Sequence, residues 1–478
     1  MSGPRPPTGR RYMLATAFIG AIGMFVPLGA AHAATLPPSG PGPEAAEPVT
    51  SATPNAAQTF VIGATANVAE PTADTSIRPF KFHATDEQLA DLKRRIKATK
   101  WPTRELVNDD TQGVQLATMQ KLADYWAGEY DWRKVEARLN AFPNFITEID
   151  GLDIHFIHVR SKHENALPII ITHGWPGSIV EQLKIIEPLT DPTAYGGSAE
   201  DAFHVVIPSM PGYGFSARPT EPGWNPPRIA QAWVTLMKRL GYTRFLAQGG
   251  DWGALMTEIL GVMAPPELAA IHTNMPSTVP PEIFQALRDG SGPPPNLTDE
   301  ELRAFERLDL FFTHGLAYAN QMGHRPQTLY GIADSPIGLA AWFLDHDILS
   351  YQMIARAFDG EPEGLSRDDV LDNITITWLT NTAISGARLY WEAMPRTSSG
   401  FGIERNNAHF FEPFGVSVPI AVSQFPEELY PVPRSWAERT YPRLIHYGQV
   451  PKGGHFAAFE QPELLVNELR AAFASLRQ

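Results

Sequence analysis

The chain has 478 residues, 43% of them hydrophobic, so it can bury a substantial core and needs more than one domain or a large insertion. Its formal net charge is -14, from 52 acidic and 38 basic residues, and this balance argues against a protein that binds nucleic-acid phosphates with a basic face. The absence of cysteine excludes disulfides, thiolate metal ligands and a cysteine nucleophile.

Residues 1–33 contain the parts of a secretory signal peptide in the usual order. Arg10 and Arg11 precede an apolar run, which ends at the A-x-A sequence of residues 31–33. The paired arginines resemble a twin-arginine signal, so we expect export to the periplasm or the medium after cleavage behind Ala33. The alternative is an uncleaved membrane anchor, because the apolar run nearly reaches spanning length.

The next two segments are a predicted linker and a predicted helical region. Residues 34–76 are rich in Pro, Ala, Ser and Thr without a helical or strand period, which is typical of a linker. Within residues 77–143, the apolar spacing predicts helices over Asp86–Ala98 and Val114–Ala127, and no β pattern surrounds them. This N-terminal region either packs against the rest of the protein or contacts a membrane surface.

From residue 144 the pattern becomes that of an α/β protein. Phe145–Ile149 and Ile154–Val159, joined by Asp150-Gly151, are typical of a β-hairpin. Short apolar runs then alternate with helical segments, which predicts a mostly parallel sheet with helices on both faces and its chemistry at the carboxyl ends of the strands. The predicted strands after the hairpin are Leu167–Thr172, His204–Pro208, Arg244–Ala247, Leu268–His272, Val418–Val422 and Leu444–His446.

The segment Gln-Gly-Gly-Asp-Trp-Gly around Asp251 is the central motif. It follows one predicted strand directly and precedes a predicted helix over Ala254–Val262. Glycines on both sides of Asp251 allow the sharp strand–turn–helix of the nucleophile elbow of α/β-hydrolases, here with aspartate in place of serine. A carboxylate attacks a saturated carbon and leaves an alkyl ester, which water must then hydrolyse. The alternative is a tight turn in which Asp251 caps the helix.

Two backbone N–H groups are candidates for the oxyanion hole. The loop His173-Gly174-Trp175-Pro176 follows the first parallel strand, where an α/β-hydrolase supplies one donor, assigned here to Trp175. The second donor is the N–H of Trp252, the residue after the nucleophile. Both would stabilise the negative oxygen as water attacks the ester.

His455 is the candidate general base. It lies on a Gly-Gly-His-Phe segment after the last predicted strand, which fits the chain order nucleophile, acid, base of this fold. The orienting acid should follow Val418–Val422, where both Glu427 and Glu428 stand. The spacing does not separate these two glutamates.

Six segments in a fixed order together form a specific pattern. They are Lys100–Pro102, His173–Pro176, Pro208–Ser216, Gly249–Gly253, Asp334–Ala340 and Gly453–Glu460. With them, the chain from about Ile77 to its end resembles the microsomal-type epoxide hydrolases, N-terminal helical domain included. The resemblance implies an α/β-hydrolase core over residues 144–275 and 401–478, interrupted by a helical lid over residues 276–400.

The resemblance also implies roles for further residues. The family's Phe-Pro-x-Glu acid falls on Glu428 rather than Glu427. Its two lid tyrosines, which donate hydrogen bonds to the epoxide oxygen and protonate it as the ring opens, fall on Tyr318 and Tyr390. An alkoxide is a poor leaving group, and an acid with a pKa of about 10 can protonate it.

Two other functions stay open at the level of sequence. A haloalkane dehalogenase shares the aspartate elbow, but that family carries Asn for halide binding where this chain has Trp175, and it lacks the tyrosine pair. An exported binding protein could keep the fold without turnover. The epoxide hydrolase mechanism implies a small hydrophobic epoxide and water as reactants and no metal or organic cofactor. The sequence determines neither the particular epoxide nor the oligomeric state.

Overall fold

The apolar runs form one central β-sheet in the computed structural model, which describes residues 74–394 and 415–477. The described residues contribute nine strands: β1 Arg78–Phe80, β2 Asn144–Ile149, β3 Leu152–Val159, β4 Leu167–Thr172, β5 Phe203–Pro208, β6 Phe245–Gly249, β7 Leu268–Thr273, β8 Ile420–Gln424 and β9 Leu444–Gln449. The predicted signal peptide and residues 395–414 lie outside the described residues.

The strand order is β1-β2-β3-β5-β4-β6-β7-β8-β9. The pairs from β1 to β5 are antiparallel, and every pair from β5 through β4 and β6 to β9 is parallel. In central β4, Ile169, Ile170 and Ile171 are fully buried, as expected for a strand covered on both faces. The predicted mostly parallel sheet is confirmed.

Helices surround this sheet and fill the long connection between β7 and β8. Those of the described residues are α1 Asp86–Lys97, α2 Leu116–Gly128, α3 Trp132–Ala141, α4 Leu183–Thr190, α5 Pro226–Arg239, α6 Trp252–Met263, α7 Pro281–Asp289, α8 Asp299–Leu310, α9 Ala317–His324, α10 Tyr330–Asp334, α11 Pro336–Leu344, α12 Ile348–Phe358, α13 Arg367–Thr380, α14 Ala383–Ala393, α15 Arg434–Thr440, α16 Ala457–Glu460 and α17 Pro462–Ala472. Helices α4, α6 and α17 pack directly on the strands. The predicted lid contains α7 to α14.

The hairpin and the first helix follow local rules. β2 and β3 are joined by Asp150 and Gly151, both at positive φ (50° and 75°). A two-residue hairpin turn needs positive φ at both positions, because such a turn matches the twist of the strands. Helix α1 begins after Thr85, whose side chain forms a reciprocal capping box with Gln88. Its predicted bounds are confirmed to within one residue, whereas α2 begins two residues later than predicted.

Two elements of the N-terminal region were not predicted. The expectation that this region has no β structure is wrong, because β1 pairs with β2 at the edge of the sheet, with Phe80 opposite Asn144. Three residues are too few to show an alternating pattern, and the pairing partner lies more than sixty residues away. The second such element is α3.

The N-terminal region packs against the lid. Helices α1 and α2 contact α11, and α3 contacts α13. The indole N–H of Trp126 donates to Thr375 Oγ1 at 3.0 Å, and the hydroxyl of Tyr130 donates to Asp372 at 2.7 Å. Within residues 74–394 and 415–477, no helix combines the length and the apolar character needed to cross a membrane.

Candidate active site

Asp251 lies on a sharp turn between β6 and α6. Its backbone adopts φ 51° and ψ -128°, a conformation that a non-glycine residue rarely takes. The turn is tight because α6 approaches the end of β4: a Cβ placed on Gly253 would lie 2.0 Å from the carbonyl oxygen of Thr172. Asp251 makes no side-chain capping bond to α6, so the turn presents its carboxylate away from the helix.

The Asp251 carboxylate is held by the loop that follows β4. The backbone N–H of Trp175 donates to Asp251 Oδ1 at 2.7 Å, and a Cβ on Gly174 would lie 2.1 Å from that same oxygen. The loop therefore approaches as closely as a residue without a side chain permits. Trp252 is the first residue of α6, and the role of its N–H as second donor stays a prediction.

His455 and Glu428 form a buried pair beside Asp251. His455 Nδ1 lies 2.6 Å from Glu428 Oε1, and its Nε2 lies 3.7 Å from Asp251 Oδ2. The side chains of Glu428 and His455 are 0% and 3% exposed, against 13% for Asp251. Glu428 Oε2 accepts a bond of 3.3 Å from the amide of Asn274, at the end of β7. The acid thus fixes the imidazole with Nε2 directed at the carboxylate.

The charges around His455 decide its protonation state. Burial alone favours the neutral ring, but the carboxylate of Glu428 and its hydrogen bond, together with Asp251 and Asp347, raise the pKa of His455 to about 10. His455 is therefore an imidazolium at neutral pH before substrate reacts. Esterification of Asp251 would remove one of the charges that hold this proton.

Glu428 and Glu427, which the sequence spacing did not separate, have different surroundings in the structure. Glu428 is buried against His455, whereas Glu427 is exposed. The Glu427 backbone has another function, since its N–H donates to the carbonyl of Gly453 at 3.0 Å and joins the acid loop to the loop that carries His455.

We expect Glu428→Gln to slow turnover roughly 100-fold, because the uncharged amide no longer stabilises the imidazolium and can turn its NH2 toward Nδ1, which favours the wrong tautomer. Glu427→Gln is the matched control and should keep the wild-type kcat. Steady-state kinetics on an aryl epoxide, with thermal unfolding to check the fold, measure both. Equal losses in the two variants would contradict the assignment of the acid.

Tyr318 and Tyr390 meet above the nucleophile. Tyr318 lies on α9 and Tyr390 on α14, and their ring centroids are 5.9 Å apart. The Tyr390 ring stands edge-on to Trp252 at 4.7 Å. Both tyrosines are at least 95% buried, and burial raises the pKa of each phenol well above its usual value. Each phenol therefore keeps its proton at neutral pH, and its role as a donor to the epoxide oxygen stays a prediction.

The sequence did not predict His346, whose ring packs against that of His455 at a tilt of 35°, with the ring centroids 4.6 Å apart. Its Nδ1 lies 3.0 Å from Asp347 Oδ2, and its buried Nε2 has no hydrogen-bond partner among the described residues. The only signal in the sequence is a histidine between two aspartates in the lid, and nothing distinguishes it from the other 13 histidines.

Three side chains here could in principle share a metal ion. Asp251, His346 and His455 each offer one atom, and these atoms lie within 4.8 Å of one another. Oxygen and imidazole nitrogen suit Zn²⁺. In their predicted roles of nucleophile and base, however, Asp251 and His455 react directly and are not metal ligands.

Comparisons with known proteins give the family of this chain. Residues 77–182 match the model of the epoxide hydrolase N terminus, and residues 168–319 match the model of the alpha/beta hydrolase fold. Among solved structures, juvenile hormone epoxide hydrolase from the silkworm Bombyx mori superposes with a TM-score of 0.71 at 29% identity, over 85% of this chain and 96% of that one. The structure of Aspergillus niger epoxide hydrolase superposes with a TM-score of 0.68 at 32% identity, over 84% of this chain and 97% of that one.

Curated relatives extend over nearly the same region. A Stigmatella aurantiaca protein assigned as an epoxide hydrolase is 51% identical over 84% of this chain and 86% of its own length. Epoxide hydrolase 1 of Oryctolagus cuniculus is 37% identical over 83% of this chain and 88% of its own length. The chain belongs to the microsomal-type epoxide hydrolase family, whose members join an epoxide hydrolase N terminus to an α/β-hydrolase fold.

Proposed function

We propose that this protein converts small hydrophobic epoxides and water to vicinal diols through a covalent ester on Asp251. The observation that carries the proposal is the placement of the Asp251 carboxylate between the N–H of Trp175 and the His455–Glu428 pair, below two buried tyrosines. Apolar rings on the tyrosine side support a hydrophobic substrate, since Phe343 packs edge-on against Trp175 at 5.0 Å.

In the first step, Asp251 Oδ2 attacks a ring carbon and the carbon–oxygen bond of the epoxide breaks. Oδ1, held by the Trp175 N–H, becomes the ester carbonyl oxygen. Tyr318 or Tyr390 donates a proton to the developing alkoxide, which is a far stronger base than a phenolate. The imidazolium of His455 replaces that proton, and this leaves His455 neutral.

In the second step, water attacks the ester carbonyl carbon while His455 Nε2 takes one of its protons. The negative charge that develops on Oδ1 is stabilised by the N–H groups of Trp175 and Trp252. The acyl–oxygen bond breaks, the second water proton passes to the departing alkoxide, and the diol leaves. Asp251 is again a carboxylate and His455 an imidazolium, so the protons balance.

The tyrosine roles predict a graded loss of ring opening. We expect Tyr390→Phe or Tyr318→Phe alone to slow ester formation roughly 10-fold, because one donor remains, and the double variant to slow it roughly 1000-fold. Rapid-quench measurement of the ester isolates this step. Phe keeps the packing of both rings, so unfolding temperatures near that of the wild type are the control. A double variant that forms ester at the wild-type rate would contradict proton donation.

A single turnover in oxygen-18 water tests the whole route. With enzyme in excess, the diol should contain no heavy oxygen, because its new oxygen comes from Asp251, and the peptide that carries Asp251 should gain one heavy atom. Heavy oxygen in the first-turnover diol would indicate direct attack of water on the epoxide. A protein that consumes haloalkanes but no epoxide would favour the dehalogenase alternative, and consumption of neither would favour a binding protein.

We also propose that the protein is exported and cleaved after Ala33. The paired Arg10 and Arg11, the apolar run and the A-x-A site support this assignment. Terminal sequencing of the protein from periplasmic and culture fractions should find Ala34 first. Retention of full-length protein in the membrane fraction would instead identify an uncleaved anchor.

A further inference from the structure

We propose that a small cavity against Asp251 and His455 holds the hydrolytic water, and that Glu181 is the residue that positions it. We call this space the water cavity; its polar lining consists of Asp251, His455, Glu181, Gln182, Gln248 and Asn274. The inference rests on the proposed function, because it assigns a place to the water of the second step.

The water cavity has the size and the polarity that a water requires. Its volume is about 30 Å³, and a cavity of roughly 10–15 Å³ is large enough to hold one water molecule. Gln182 Oε1 and Gln248 Oε1 are buried and have no hydrogen-bond partner among the described residues. Buried amide oxygens are nearly always satisfied, so two such acceptors in the wall of one polar cavity indicate that water completes their bonding.

The position of the cavity suits attack on the ester. Its wall includes both Asp251 and His455, the electrophile and the base of the second step, whereas neither Tyr318 nor Tyr390 lines it. A water held there reaches Asp251 without displacing a substrate bound below the tyrosines. It can direct one proton to His455 Nε2 and the other to a glutamine oxygen, which leaves a lone pair for the carbonyl carbon.

Glu181 is a buried acid that the mechanism has not yet used. In the described part of the chain no lysine or arginine lies within ion-pair distance of it. Burial raises the pKa of its carboxyl to about 8, although the charge of His455 and the hydrogen bond from Gln182 oppose this increase. Glu181 is therefore mostly protonated at neutral pH and can both donate and accept hydrogen bonds.

The loop after β4 makes room for this acid. A Cβ on Gly177 would lie 2.5 Å from Glu181 Oε2, so any other residue there would displace the carboxyl. Glu181 Oε1 accepts a bond of 3.1 Å from Gln182 Nε2, which fixes the amide whose oxygen is unpaired. Elsewhere in the wall, Gln248 Nε2 donates to Asn274 Oδ1 at 3.0 Å, and Asn274 in turn donates to Glu428. Both glutamines are thus oriented by their neighbours.

The test compares Glu181→Met, which keeps the length of the side chain and removes both oxygens, with the conservative Glu181→Gln. Rapid-quench kinetics on an aryl epoxide measure ester formation and ester hydrolysis separately. We expect Glu181→Met to slow hydrolysis roughly 100-fold with little change in ester formation, so that kcat and KM fall together while kcat/KM is retained. Glu181→Gln should recover most of the hydrolysis rate, because an amide can still hold a water.

Glu258→Gln is the matched control. Glu258 is also fully buried and has a pKa raised by burial, to about 7, but it contacts Ser277, Thr278 and Tyr441 and does not line the water cavity. It should leave the ester fraction at the wild-type level even if the unfolding temperature changes. Unchanged hydrolysis in Glu181→Met, or an equal slowing of both steps, would overturn the inference. Failure of the wild type to form any ester would instead overturn the proposed function.

Discussion

After incubation with a styrene-type epoxide, His455→Gln protein is expected to gain the mass of one whole epoxide, located on the peptide that carries Asp251. Glutamine cannot take a proton from water, so hydrolysis should slow roughly 10,000-fold, whereas ring opening relies on Asp251 and the tyrosines. Ester formation should slow less, because the variant loses only the imidazolium that replaces the tyrosine proton. Intact-protein mass spectrometry followed by peptide mapping measures both the gain and its position.

The wild type, quenched in acid during steady-state turnover, is the control and should carry less ester than the variant. A folded His455→Gln protein that stays unmodified, beside a wild type that makes diol, would contradict the covalent route. A mass gain on another peptide would identify a different nucleophile.

The sequence alone was sufficient to predict where in the fold Asp251 and His455 lie, because their positions follow from chain order. Asp251 and His455 stand after strands of a recognisable alternating pattern, and the glycines around Asp251 indicate a turn before any contact is known. Glu428 is different: only the resemblance separated it from Glu427, and the physical distinction is burial against His455, which depends on how two loops meet.

His346 and Glu181 could not be found in this way. His346 is one of 14 histidines and Glu181 is one of 52 acidic residues, and only its surroundings in the folded protein distinguish each of them. His346 reaches His455 from the lid, more than a hundred residues away in sequence, and Glu181 enters the water cavity only because Gly177 leaves space for it. Long-range packing of this kind leaves no periodic trace in the chain.

Different parts of the protein surround Asp251 on the side of the tyrosines and on the side of the water cavity. The lid supplies Tyr318 and Tyr390, and it is supported from behind by the N-terminal helices through pairs such as Trp126 with Thr375. The water cavity, in contrast, is lined by residues of β6, of the segments that follow the strands, and of helices α16 and α17, and none of its lining residues belongs to the lid. This division allows the alkyl group to remain under the lid while water attacks from the core.

Asp251→Asn should abolish ester formation, with a loss of roughly 10,000-fold or more in kcat, because an amide is not a nucleophile toward an epoxide. Asparagine has nearly the same shape and tolerates a positive φ better than most residues, so the strained elbow should persist. Loss of the negative charge should also lower the pKa of His455, since Asp251 is one of the charges that raise it. Stopped-flow binding of a diol product, with thermal unfolding, checks that the site remains formed. Combined with His455→Gln, the substitution should remove the trapped mass entirely; a residual mass gain in that double variant would show that another residue attacks the epoxide.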